Sequence, residues 1–221
     1  MFLDAGGVIV LPNRHLVAGA LARASIDIDP AAVPRAHYHA VHAFDRAGAS
    51  NPTYVRAFVA ELGVAPDRTE EAILAFAELA DRTRSGVVLW SELTSGAVAT
   101  IAALRRAGFR VVIVTNSDGH AKENLADSGV PDVPVIDSVV VGSEKPDSRI
   151  FETALAVAGA TASETVHVGD TLAADVAGAR AAGITPIHFD PLRACRATDH
   201  RHVRSLHGLW QHIQRPLGKK H

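Results

Sequence analysis

Five polar side chains that could together act on a phosphoryl group follow apolar runs in this 221-residue sequence. Asp4 follows the first run, Thr115 the second and Lys145 the third, whereas Asp170 and Asp175 follow the fourth. A carboxylate that attacks phosphorus forms an acyl-phosphate and divides one difficult displacement into two easier steps. Hydroxyl and ammonium groups bind the charged oxygens, and a pair of carboxylates suits Mg²⁺. The set predicts metal-assisted phosphoryl chemistry.

The carboxylates come from the two outer segments. In Asp4-Ala5-Gly6-Gly7, the glycines expose backbone N–H groups beside the Asp4 carboxylate, and we expect Gly7 to contact the substrate. In the later segment, Asp170 ends an apolar run and Asp175 lies about one helical turn beyond it. We expect Asp4, Asp170 and the Gly6 carbonyl to bind Mg²⁺ directly. Asp175 would hold a metal-bound water or orient Asp170.

The groups that would bind the phosphoryl oxygens come from the two inner segments. After the run that ends at Val114, the Thr115 hydroxyl and the backbone N–H groups from Asn116 onward are candidates. Lys145 would neutralise charge on the phosphate and on Asp4. Each segment taken alone also suits a turn, a helix cap or a surface lysine, so the prediction rests on their order and spacing.

The elements that must position these groups alternate between strands and helices. Apolar runs predict strands at about 2–4, 110–114, 136–141, 165–169 and 185–189. Helical patterns that end at glycines predict helices at about 96–107, 120–128, 147–158 and 172–182. This alternation predicts an α/β fold, a Rossmann-like parallel sheet flanked by helices, in which ligands bind beyond the carboxyl ends of the strands.

Residues 13–90 follow a different pattern, with Tyr54, Phe58 and Leu62 on one helical stripe and no evident strand. We therefore predict an inserted all-helical domain at 13–90, within a catalytic core of residues 1–12 and 91–221. The last 31 residues, 191–221, carry seven Lys or Arg against one acid. They suggest a solvated basic helix and tail, with His200, His202 and His207 on its surface.

With all four segments in order, the chain resembles the haloacid dehalogenase superfamily, in its branch with a helical cap after the first motif. Lys145-Pro-Asp-Ser-Arg-Ile-Phe151 and the stretch from Gly169 to Gly183 are especially similar. The resemblance implies that Asp4 is the nucleophile and that Thr115 and Lys145 are catalytic and bind the transferring group. Asp170 and Asp175 would hold Mg²⁺, and the substrate would be a small phosphorylated metabolite.

Gly6 departs from the family pattern, because phosphatases of this family usually have a second Asp there as general acid and base. One reading is a phosphatase whose substrate, such as a sugar phosphate, needs less help with proton transfer. Another is a 2-haloacid dehalogenase, since halide leaves without a proton, although that branch uses no metal. The third is a catalytically weakened member that binds a ligand. A histidine of the insertion (His15, His37, His39 or His42) is a candidate replacement for the acid.

Composition narrows the possible partners and compartment. The formal net charge is −2, with 48% hydrophobic and 21% charged residues, which favours neither nucleic acid nor membrane as a partner. Cys195 is the single cysteine, so an intrachain disulfide is excluded, and no apolar run reaches the length of a membrane span. We expect a cytoplasmic enzyme.

Overall fold

The computed structural model describes residues 1–48, 51–83 and 87–214, which form two units. The first contains Met1–Ile9 and the described residues from Thr94 onward, and the second contains Val10–Leu93. In chain order the strands are β1 (Phe2–Leu3), β2 (Val10–Pro12), β3 (Trp90–Leu93), β4 (Val112–Thr115), β5 (Val135–Asp137), β6 (Val166–Gly169), β7 (Thr185–Phe189) and β8 (Arg201–Val203).

The helices lie between and after these strands in the sequence. The helices are α1 (Arg14–Arg23), α2 (Val33–Arg46), α3 (Asn51–Glu61), α4 (Thr69–Thr83), α5 (Ala97–Arg106), α6 (Ala121–Asp127), α7 (Ser138–Val141), α8 (Ser148–Ala158), α9 (Gly178–Ala181) and α10 (Leu206–Gln214). A π-helical segment, Leu172–Ala177, leads into α9. Short 3₁₀ turns occur at Pro30–Ala32, Pro66–Arg68 and Ala162–Glu164.

The first unit is built on a six-stranded sheet in the order β5-β4-β1-β6-β7-β8. All its neighbouring strands pair in parallel. The chain leaves β1 toward β4 and β5, then returns to the other side of β1 for β6, β7 and β8. The direction of winding thus reverses at β1, and such a reversal opens a crevice at the carboxyl ends of the strands. Asp4 stands directly beyond β1, at this point. The α/β class predicted from the sequence is confirmed.

One face of the sheet is covered by α8, whose sequence explains both its ends and its buried stripe. Asp147 caps the helix by accepting a hydrogen bond from Arg149 N at 2.9 Å, and Gly159 ends it with a left-handed φ of 57°. Between these caps, Ile150, Phe151 and Ala154 are fully buried. They join Phe2, Val112, Val114 and Ile136 from the strands in one apolar cluster. This packing fixes the helix that follows Lys145.

The predicted strand at 136–141 is wrong beyond residue 137. The strand ends at Asp137, whose carboxylate accepts a hydrogen bond from Val139 N at 3.0 Å and so caps the short helix α7. Val139 and Val140 are 62% and 71% exposed, whereas a buried strand would hide both. A three-valine run fits either structure, and the cap decided between them.

The C-terminal segment is also different from the prediction. Residues 191–200 contain neither helix nor strand; the parallel strand β8 follows, and only Leu206–Gln214 is helical. His200 and His202 therefore do not lie on a helix, whereas His207 is an exposed residue of α10. Arg215, Lys219 and Lys220, part of the predicted basic tail, lie outside the described residues.

The second unit combines helices with a two-stranded antiparallel ribbon of β2 and β3. Its described helices pack around an apolar core that includes Val17, Leu21, Phe58, Phe76 and Leu79. The predicted boundary at 12–13 falls at the end of β2 and the one at 90–91 falls within β3, whereas the units divide at Ile9/Val10 and Leu93/Thr94. Ile9 and Thr94, the residues of the first unit that flank the insertion, are linked by a hydrogen bond from Thr94 N to Ile9 O at 2.9 Å.

None of the helices in the described portions of the chain has the length and apolar character that crossing a membrane requires.

We expect Phe151→Ala to lower the free energy of unfolding by about 3–5 kcal/mol, because it empties a fully buried position against the sheet. Urea denaturation would measure the change. Val157→Ala, on the same helix but 52% exposed, is the matched control and should cost far less. Equal losses in the two variants would contradict the packing described here.

Candidate active site at the carboxyl ends of the strands

Lys145 lies between two buried carboxylates. Its Nζ donates to Asp4 Oδ1 at 2.7 Å and to Asp175 Oδ1 at 2.7 Å. The three side chains are 3%, 10% and 1% exposed, respectively. Asp4 follows β1, Lys145 lies between α7 and α8, and Asp175 belongs to the π-helical segment after β6. The parallel sheet therefore brings together three charges that are far apart in the sequence.

Asp175 is surrounded by hydrogen-bond donors. Its Oδ1 accepts from Lys145 Nζ and lies 2.8 Å from His167 Nε2, and its Oδ2 accepts from Thr171 N at 3.1 Å and Thr171 Oγ1 at 2.6 Å. A carboxylate offers about four acceptor positions, so these four donors satisfy it. Gly169 is required here, because a Cβ at this position would overlap the Asp175 side chain. Asp175 thus fixes the position of the Lys145 ammonium.

The backbone of Lys145 is held by Asn116, which follows β4. Asn116 Oδ1 accepts from Lys145 N at 2.7 Å, and Asn116 Nδ2 donates to Lys145 O at 2.9 Å. On the other side, a Cβ at Gly178 would lie 3.0 Å from Pro146 Cα, so α9 packs directly on this loop. The side-chain amide of Asn116 is committed to the loop, and a contact of Asn116 with substrate through its backbone stays a prediction.

Asp137 is a buried carboxylate that the sequence analysis missed. It accepts hydrogen bonds from Gly119 N at 3.0 Å and from Ala121 N at 3.1 Å, in addition to Val139 N. Next to it, Ser138 Oγ accepts from Ser117 N at 3.0 Å. These bonds fix the loop that follows Thr115. The acid at the exit of β5 was the available signal, since Asp is a preferred helix N-cap.

Burial and charge shift the pKa values of this cluster in opposite directions. Burial raises the pKa of Asp4 to about 7, although the Lys145 ammonium opposes the shift. Burial would also raise the pKa of Asp175, but Lys145 and His167 outweigh it and hold that pKa well below its usual range. Burial alone would lower the pKa of Lys145, yet Asp175 and Asp4 raise it. Lys145 and Asp175 are thus charged throughout the physiological range.

Asp4, Asp170 and Asp175 each offer an oxygen within 4.8 Å of the others. With all three ionised and one ammonium present, the cluster carries two net negative charges, which matches a divalent cation. Carboxylate oxygens are ligands that Mg²⁺ prefers. Because Asp175 already accepts four hydrogen bonds, Asp4 and Asp170 are better suited to bind a cation directly. The residues present fit a magnesium site.

The remaining predicted residues lie as follows. Thr115 is the buried last residue of β4, and Gly6 and Gly7 lie in the turn after Asp4, where Gly7 has a φ of 74°. Their roles in binding substrate or metal stay predictions. In the second unit, His37 is buried, with its Nδ1 2.9 Å from the Tyr54 hydroxyl.

A family model described as haloacid dehalogenase-like hydrolase matches residues 1–183. The chain belongs to this family. The resemblance drawn from the four motifs is therefore confirmed. Haloacid dehalogenase-like hydrolases generally use Mg²⁺.

Relatives of this haloacid dehalogenase-like hydrolase include phosphatases. It is 35% identical over 129 residues to the ribulose-1,5-bisphosphate 5-phosphatase of Halopiger xanaduensis, covering 54% of each chain. It is 34% identical over 147 residues to the phosphoserine phosphatase of Thermus thermophilus, covering 65% of this chain and 56% of the relative. The chain spans about half the length of the curated relatives it matches.

Solved structures share the fold. The magnesium-bound hydrolase YfnB of Bacillus subtilis aligns with a TM-score of 0.65 and 21% identity, covering 96% of this chain and 97% of the other. A family hydrolase of Deinococcus radiodurans, solved with phosphate and sodium, aligns with a TM-score of 0.62 and 20% identity over 96% and 93%. At these identities the likeness concerns the fold alone.

We expect Asp175→Asn to lower the free energy of unfolding by about 3–5 kcal/mol, because an amide NH₂ would face buried donors and Lys145 would lose one counter-charge. Chemical denaturation measures the loss. Asp132→Asn changes an exposed carboxylate in the same way and should leave the midpoint nearly unchanged. A midpoint as high in Asp175→Asn as in Asp132→Asn would argue against the positioning role.

Proposed function

We propose that the protein hydrolyses a small phosphate monoester in an Mg²⁺-dependent reaction through an aspartyl-phosphate on Asp4. The proposal rests on the position of the Lys145 ammonium. It lies 2.7 Å from the carboxylate of Asp4, the candidate nucleophile, and 2.7 Å from the carboxylate of Asp175. An ammonium held in this way faces charge on a bound phosphoryl group without reorganisation. The phosphatases among the relatives support the same reaction class.

The cation ligands we propose are the carboxylates of Asp4 and Asp170 and the carbonyl of Gly6. Mg²⁺ there would supply positive charge opposite the phosphoryl oxygens. Asp175 belongs to the same cluster, and its hydrogen bonds support a role in positioning Lys145. With all three carboxylates ionised, the two net negative charges of the cluster would repel a phosphate dianion if no cation were bound, so substrate binding and cation binding should depend on each other.

The chain's own groups would carry out two displacements. An Asp4 oxygen attacks phosphorus, the bond from phosphorus to the ester oxygen breaks, and the electron pair leaves with the alkoxide. Water then attacks the phosphorus of the aspartyl-phosphate, which releases orthophosphate and restores the carboxylate. We propose that Lys145, Thr115 and the backbone N–H groups of Asn116 and Gly7 bind the transferring oxygens in both steps.

Gly6 has no side chain that could protonate the alkoxide or deprotonate the water. General acid–base help of this kind contributes about 10²–10⁴-fold. Its absence favours substrates whose leaving group is stable as an anion or is protonated by solvent. A sugar phosphate esterified at its anomeric carbon fits this requirement.

We expect metal-dependent release of phosphate from a panel of sugar phosphates, abolished by EDTA and restored by Mg²⁺. Asp4→Asn should reduce turnover by about 10³-fold or more, because the attacking oxygen is lost. Asp127→Asn, an exposed acid at the end of α6, is the control and should retain activity. Halide release from 2-chloropropionate that is indifferent to EDTA would instead show a dehalogenase.

A Gly6→Asp variant tests whether the missing acid limits the reaction. We expect turnover of alkyl phosphates to rise by about 10²-fold, because their alkoxide leaving group needs a proton. The gain on p-nitrophenyl phosphate, whose phenolate leaves readily, should be smaller. An equal gain on both esters would show that the new carboxylate accelerates the attack of water on the aspartyl-phosphate. No gain on either ester would show that another group already transfers the proton.

A further inference from the structure

A second cluster of metal-binding side chains lies on the same unit, at the edge of the sheet. His188, Cys195, His200 and His202 each offer one ligand atom, and these atoms all lie within 4.8 Å of one another. Their origin follows from the topology. His188 and His202 are register partners on the parallel strands β7 and β8, so their side chains share one face of the sheet. Cys195 and His200 come from the segment between these strands.

That connecting segment is shaped to present the thiol. Residues 191–200 lack helix and strand. The Asp190 carboxylate accepts hydrogen bonds from Ala194 N at 2.9 Å and from Cys195 N at 3.0 Å. These bonds turn the chain back at Cys195, and its Sγ lies 3.7 Å from His200 Nε2. This irregular segment therefore places the Cys195 thiol next to the imidazole ring of His200.

The hydrogen bonds of the cluster leave lone pairs directed at its centre. His188 Nε2 lies 3.1 Å from the backbone carbonyl of Asp170, which can only accept, so this nitrogen carries the proton and Nδ1 does not. His200 Nδ1 lies 2.8 Å from an oxygen of the Asp199 carboxylate, whose other oxygen accepts a hydrogen bond from Arg180 Nη1 at 2.7 Å. In the neutral His200 ring, Nε2 is then the unprotonated atom. Rings held by an outer carbonyl or carboxylate in this way are typical of metal-binding histidines.

Two unprotonated nitrogens facing each other repel unless a cation lies between them. His200 Nε2 and His188 Nδ1 are 3.3 Å apart. Among the described residues, the buried His202 Nε2 finds no hydrogen-bond partner. A single proton would satisfy only one of these contacts. One metal ion would satisfy both histidine nitrogens, the thiolate and the orphaned atom together.

Two distances within the cluster match those around a tetrahedral ion. Zinc bonds of about 2.05 Å to nitrogen and 2.3 Å to sulfur separate two nitrogens by about 3.3 Å, and a nitrogen from a sulfur by about 3.6 Å. The structure has 3.3 Å and 3.7 Å for these pairs. The side chain of His200 is only 2% exposed and His188 is buried, whereas Cys195 and His202 are half-buried.

We propose that His188, Cys195, His200 and His202 bind one zinc ion. Four protein ligands complete the coordination sphere, which is typical of a structural zinc site. The nitrogen and sulfur donors distinguish this site from the all-oxygen cation site at Asp4 and Asp170. The ion would pin residues 191–200 to β7 and β8. Through His188 it would also support the backbone carbonyl of Asp170. The proposal does not depend on the hydrolysed substrate.

The test uses the untagged full chain, stripped of metal by a chelator and titrated with Co²⁺ as a spectroscopic probe. With excess Mg²⁺ present to fill the oxygen site, we expect one equivalent to bind, with intense visible bands of tetrahedral cobalt and a near-ultraviolet thiolate-to-cobalt charge-transfer band. Zn²⁺ should displace the cobalt and raise the midpoint of thermal unfolding by about 5 °C, whereas excess Mg²⁺ should leave the spectrum unchanged. A wild-type spectrum without the charge-transfer band overturns the proposal without any variant.

Variants assign the ligands. Cys195→Ser should abolish the charge-transfer band, and His202→Ala should weaken Co²⁺ binding by about 100-fold or more. His207→Ala, which removes an exposed imidazole of α10, should bind as the wild type does. Asp4→Asn should keep the same spectrum, because that residue belongs to the other cation site. Equal affinity in wild type and His202→Ala would show surface binding only and refute the site.

Discussion

The ammonium of Lys145 lies between the carboxylates of Asp4 and Asp175, and removing these three charges from water is costly. A buried ion pair persists only where further hydrogen bonds satisfy its remaining donors and acceptors. The structure meets this condition at Asp175, which accepts from His167 and Thr171 as well as from Lys145. The elements around the site are arranged to keep these partners in place, and their positions are therefore tightly constrained.

Backbone contacts supply most of that constraint. Asn116 closes two hydrogen bonds on the main chain of Lys145, and the absence of a Cβ at Gly169 and Gly178 lets neighbouring segments approach within contact distance. A charged group fixed in this way does not reorganise when charge develops on a bound phosphoryl group, which is the principal means by which such sites accelerate reactions. The rigidity of the loops is therefore part of the chemistry that we propose for Asp4.

The sequence predicts correctly those features that follow from the periodicity of apolar residues and from the topology of a parallel sheet. The carboxyl ends of parallel strands lie at the same edge of a sheet. The proximity of Asp4, Lys145 and Asp175 could therefore be predicted, although their hydrogen bonds could not. The strand and helix periods do not distinguish a run as short as Val139–Val141, where the cap at Asp137 decided the outcome. The histidine and cysteine cluster was missed for a related reason. Charge suggested a terminal helix, whereas pairing with β7 makes residues 201–203 a strand.

The hydrogen bond from Thr94 N to Ile9 O has a consequence for how this family member could diversify. The 84 residues of Val10–Leu93 leave and re-enter the sheet-bearing unit at adjacent points, and β2 pairs with β3 immediately beyond them. Exchange of this segment for another of different length or sequence would alter no strand order and no crossover of the sheet. Insertions with neighbouring ends are the kind that folded scaffolds tolerate. Recombination at Ile9 and Thr94 could thus replace the whole module while the sheet-bearing unit is inherited intact.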